Sequence, residues 1–145
     1  MAEAAVATAS FVILPALVMG LIIGLIELFF VHADEAGMGW MSHGLHAIPA
    51  TMIFVFISMN FSFVYNFLPF VKQNTAADLG IRVLIGIIAM IKISAAAAIV
   101  RGSRVGEKLP HTLLIGALVI AAPYIWIYLA PIMTPMLPKI GMPAK

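Results

Sequence analysis

The chain contains no cysteine, which excludes disulfides, thiolate nucleophiles and iron–sulfur ligation together. Charge is also scarce: Asp, Glu, Lys and Arg make up 10% of 145 residues, against about 25% in soluble domains. The calculated pI of about 9.2 rests on a net charge of only +2, so it gives no reason to expect nucleic acid as a partner. There is no phosphate-cradling glycine loop, no long basic patch interleaved with aromatics and no serine with a paired base. The first ten residues carry no Lys or Arg, so the positive n-region of a secretory signal is missing and the first apolar run is expected to stay as a resident helix. No internal repeat relates the two halves, and no catalytic constellation is expected in this chain.

Apolar sequence is what the chain has in abundance. It is 63% hydrophobic, with a mean hydropathy of +1.13. Four runs, at about 11–31, 47–71, 81–100 and 112–132, reach the roughly 20 residues that a bilayer crossing needs. The sequence therefore predicts an all-α polytopic membrane protein. Residues 1–145 are read as a single transmembrane helical domain, a bundle of four transmembrane helices with short links and a Pro-rich C-terminal tail. The cytoplasmic membrane of the cell is the expected location, with lipid around the bundle. Asn74 or Thr75 is placed to cap a turn in the second link, and Pro110 to open the fourth helix. Prolines at 131, 135, 138 and 143 predict an extended tail from Pro131 onward.

Orientation is contradictory. Lys72, Arg82, Lys139 and Lys145 fall on the side of the termini, and Arg101, Arg104 and Lys108 on the other. The first link has no Lys or Arg, while the third, on the same side, is basic, so the positive-inside rule disagrees with itself. Assembly with other subunits is one way such a conflict arises.

Two ionisable residues lie inside apolar runs. Glu27 follows a row of small residues, Ala16, Gly20 and Gly24, spaced by four. Such a row lets a neighbouring helix come close, and Glu27 lies within about 60° of it at 100° per residue. It is either a buried packing carboxyl or a proton- or ion-handling group. Lys92 sits near the middle of the third run, and Ala89 and Ala96 predict that it faces a helix seam. A lone lysine at the bilayer centre costs roughly 3 kcal/mol on insertion scales, so a receiving group is expected. Glu27 is one candidate and another subunit is the other. In the second run Thr51, Ser58, Ser62, Tyr65 and Asn66 share one arc while Asn60 points away. That stripe either bonds across helices or lines a narrow wet path. Tyr124, Trp126 and Tyr128 suggest an aromatic belt, and Pro123 a kink in the fourth helix.

The first link, 32–46, reads HADEAGMGWMSHGLH. His32, Asp34, His43 and His46 form a candidate metal set, with Glu35 as an alternative carboxylate. Met38 and Met41 favour copper over zinc. The rival reading is an ordinary glycine-rich turn at the headgroup level, carrying Gly37, Gly39 and Gly44.

With its four-span layout, the HADEAGMGWMSHGLH segment resembles the small extra helical subunits of archaeal ammonia monooxygenase-type, copper-dependent membrane complexes. The resemblance implies an accessory chain among other integral membrane subunits that perform the chemistry, and it transfers no ligand to any position here. Two rival readings remain. One is a homo-oligomeric channel or proton-coupled small-molecule transporter using Glu27 and Lys92. The other is a metal-delivery protein using the first link.

Overall fold

The computed structural model describes residues 11–34, 39–72, 74–99 and 108–137. Among these residues the chain is 92% helical, with no strand. The long helices are α1 (Ile13–Asp34), α2 (Trp40–Met59), α4 (Thr75–Ile99) and α5 (Leu109–Met133); a short α3 (Pro69–Lys72) lies between α2 and α4. Three helices, α1, α2 and the one that starts at Leu109, are long and apolar enough to cross a membrane. The 25-residue α4 packs beside α5 and α2.

Neighbour relations place α1 against α2 and α4 against α5, with α2 also touching α4 and α5, and α5 touching α1. Among the described residues α1 and α4 therefore stand across the bundle, with α2 and α5 between them. The core joins all four: Met19 and Ile23 from α1, Val55 from α2, Ala89 and Ile93 from α4, and Ile115, Val119 and Ala122 from α5.

Glycine decides where helices approach most closely. A Cβ added at Gly20 would lie 3.1 Å from the Met52 Cα, and one at Gly24 would lie 3.3 Å from the Ile48 Cα. The small-residue row of α1 is thus its seam with α2. The α4–α5 seam has its own pair: a Cβ at Gly86 would meet Ile120 Cδ1 at 2.5 Å, and one at Gly116 would overlap Met90. Backbones this close gain dispersion contacts that a lipid tail cannot supply.

Several predicted boundaries shift. The second run does not continue as one helix from 47 to 71. Instead α2 begins at Trp40, ends at Met59 and gives way to a 3-10 turn over Phe61–Asn66. The stop is chemical: the Asn60 Nδ2 donates to the Phe56 carbonyl at 2.9 Å, while its Oδ1 accepts the Val12 N–H at 2.6 Å. An amide that bonds its own preceding turn competes with helix continuation. Most of the expected first link is helix, with His32 and Asp34 on α1 and His43 and His46 on α2. Asn74 caps α4, its Oδ1 accepting from Ala76 and Ala77 at 3.0 and 3.2 Å. Pro110 sits in the first turn of α5. The chain is not extended from Pro131, because Pro123 and Pro131 both lie inside α5 and a 3-10 turn covers Thr134–Met136. Pro138 and Pro143 lie outside the described residues.

Candidate functional site

The interior is apolar apart from a few groups. Glu27 is wholly buried, on the face of α1 that also carries Met19, Gly20, Ile23 and Gly24. On α2, His43, Thr51 and Ser58 are buried as well. The Thr51 Oγ1 and Ser58 Oγ make no hydrogen bond among the described residues. The predicted polar stripe of α2 is cut by the helix end at Met59. Thr51 and Ser58 face inward, Ser62 and Asn66 are exposed beyond it, and Tyr65 is half-buried. Asn60, expected to point away, is buried against the start of α1.

One end of the bundle gathers the histidines. Asp34, its side chain fully buried, accepts from His111 Nδ1 at 2.6 Å and from the Lys108 backbone N–H at 2.9 Å, both at Oδ2. The Lys108 Nζ lies 2.9 Å from Oδ1. His111 also stacks on Phe30, with ring centroids 4.2 Å apart and planes at 8°. Beside them His32 and His43 share a hydrogen bond, Nδ1 to Nδ1 at 3.0 Å, and His32 stacks on Trp40. His46 is exposed, with its Nδ1 on the Ser42 carbonyl at 2.7 Å.

These positions can be compared with the expected copper set. A copper centre needs lone pairs from several ligands converging on one point. Here the Nδ1 atoms of His32 and His43 are bonded to each other, Asp34 is turned to Lys108 and His111, and His46 bonds its own helix. No group of three or more His, Asp or Glu among the described residues is placed to hold a metal ion. His32 and His43 meet each other, while Asp34 and His46 turn to partners elsewhere, so these four side chains do not converge on one point. Glu35 and Met38 lie outside the described residues, and Met41 is exposed.

The opposite end is tied by Arg82. Its Nε donates to Asp78 Oδ2 at 2.9 Å and one terminal nitrogen donates to the Ser58 carbonyl at 3.1 Å. The guanidinium lies over the rings of Phe61 at 5.0 Å and Tyr124 at 5.9 Å. The Tyr65 hydroxyl donates to Asp78 Oδ1 at 2.7 Å. Asp78 lies ahead of the apolar run that starts at Ile81. Burial alone would raise its carboxyl, but the hydrogen bonds from Arg82 and Tyr65 and the Arg82 charge outweigh burial and hold it below the ordinary value. Burial, with the bond to Asp78, holds the Tyr65 phenol above its usual range.

Lys92 is not where the sequence placed it. Ala89 and Ile93 are buried in the core, whereas Lys92 is exposed on the outer face of α4 with Ile88 and Ile91, which are 42% and 61% exposed. The Ala96 side chain lies outside the described residues. No hydrogen bond or ion pair among the described residues involves Lys92. Glu27 and Lys92 therefore do not meet within one copy of the chain: one is closed inside, the other points out from the helix across the bundle. Three features were not singled out in the sequence. The Asp78–Arg82 pair carries an i, i+4 signal, while the Gly86–Gly116 seam and the Asp34–His111 bond carry no local signal.

Comparison with protein-family models, with curated proteins and with solved structures finds no match to this chain.

Proposed function

We propose that this protein is a small accessory subunit of a larger integral membrane complex in the cytoplasmic membrane, with α4 as a fourth crossing beside the three apolar helices. The single observation that carries this reading is the outward position of Lys92. It lies eleven residues past Ile81 and eight before Val100, about 16 Å and 12 Å along a helix axis. A snorkelling lysine covers only part of that distance. A cation held on the outer face at that depth is stable where another subunit covers it. Further support comes from the small extramembrane content of the sequence and the conflicting loop charges.

The archaeal ammonia monooxygenase-type assembly, whose small subunits the 32–46 segment resembles, is the first candidate complex. In it the chemistry would reside in other chains, and this one would support their helix packing. The transport alternative needs Glu27 and Lys92 in one path, whereas their positions put one inside and one outside the bundle. Glu27→Gln separates the two, since it abolishes coupled transport on the transport reading and mainly weakens assembly on the accessory reading.

The test is native mass spectrometry of protein extracted from its own membrane in mild detergent, with metal detection. Co-migration with larger, unrelated subunits is the expected result. A clean homo-oligomer would overturn the accessory role.

A further inference from the structure

Resting on the accessory reading, we infer that the outer face of α4 around Lys92 is a docking surface for a transmembrane helix of a different protein that carries an Asp or Glu at mid-membrane depth. Charge complementarity selects that chemistry. An ammonium on a face it shares with the exposed Ile88 and Ile91 gains little from an apolar partner, whereas a carboxylate at the same depth neutralises it and accepts its hydrogen bonds. The isoleucines beside it supply an apolar rim that excludes water and lipid headgroups from the pair.

A second copy of this chain does not offer that carboxylate. The chain has six acidic residues. Glu27 is enclosed in its own bundle, Asp34 is held by Lys108 and His111, and Asp78 by Arg82 and Tyr65. Glu3, Glu35 and Glu107 lie outside the apolar runs in the sequence. Two copies meeting through the same face would set Lys92 against Lys92, which is repulsive. The complementary acid therefore belongs to another chain.

The experiment uses the full chain, labelled at Ala76→Cys against its cysteine-free background and reconstituted in phosphatidylcholine vesicles. Acceptor-labelled Leu/Ala helices of about 21 residues carry one central Glu, Gln or Lys. Energy transfer is expected to show about a tenfold preference for the Glu helix over the Gln helix. The preference should vanish in Lys92→Met and survive in Lys92→Arg. Because Lys92 is exposed, the Met variant is expected to fold, which a thermal melt of each variant checks. Equal binding of the Glu and Gln helices, or a preference that persists in Lys92→Met, would overturn the inference. So would Lys92-dependent energy transfer between two copies of the chain. Any of these outcomes leaves the native co-migration result intact, so failure here and failure of the accessory role remain distinguishable.

Discussion

The Nδ1 of His111 lies 2.6 Å from the Oδ2 of Asp34, joining the last turn of α1 to the first turn of α5 across 77 residues of sequence. Asp34 also takes the Lys108 backbone N–H, one of the donors that the start of α5 cannot satisfy within the helix. A single buried carboxylate thus fixes how α5 enters the bundle.

Asp34→Asn is expected to lower stability in detergent by about 1.5–3 kcal/mol, the range for hydrogen bonds to charged groups. His111→Ala should remove part of the same energy, so the double variant loses less than the sum of the singles. Thermal unfolding of the four proteins reads this. Strict additivity would mean that the two side chains act independently.

Acid should weaken the opposite end. The Asp78 carboxyl is held below its ordinary 3.8 on folding. A carboxyl lowered in the folded state contributes stability above its unfolded value, and that contribution fades as pH falls through 3.8 toward the lower folded value. Melting temperature should therefore drop on acidification below about pH 4, and Asp78→Asn should make that drop shallower. Tyr65→Phe removes one of the donors to Asp78 and should reduce the same slope by a smaller amount.

Alanine at two glycines should act differently. A Cβ at Gly80 meets nothing within 4 Å, so Gly80→Ala gains about 0.5–1 kcal/mol from helix propensity alone. At Gly20 the same methyl presses on the Met52 backbone at 3.1 Å, so Gly20→Ala should be neutral or destabilising and Gly20→Leu should part α1 from α2. Equal responses at the two sites would show that the α1–α2 approach is looser than the geometry indicates.

Thr51 offers a test of the interior. Its hydroxyl is fully buried and makes no hydrogen bond among the described residues. An unsatisfied buried hydroxyl costs about 1–3 kcal/mol, so Thr51→Val should be neutral or stabilising, as should Ser58→Ala to a smaller extent. A loss of more than about 1 kcal/mol in Thr51→Val would reveal a bonded role for this hydroxyl.

Helical character and the close packing of α1 were legible in the sequence because both depend on short-range periodicity. Gly20 and Gly24 at i and i+4 can only share a face, and the apolar runs are long enough to leave little else. The facing of Lys92 was harder. It stands three residues beyond Ala89, about 60° round the helix. Alanine content alone cannot say which side of Ala89 packs, and the deciding residues are Gly86 and Ile93. The histidine-rich stretch reads as a link because polar residues usually end apolar runs. Yet Asp34 bonds Lys108 and His111, and His43 bonds His32, so α1 runs on to Asp34 and α2 is already under way at His43. The break at Asn60 depends on an amide reaching Val12, 48 residues away, and no local pattern announces such a bond.

The two latches of the α1–α2 pair have a consequence for synthesis. At one end Asn60 holds the Val12 backbone, and at the other His32 bonds His43. All four groups lie within the first 60 residues, so this hairpin can close at both ends before α4 and α5 have been made. Insertion can thus begin from a preassembled pair of helices, which then serves as the template on which the later pair docks.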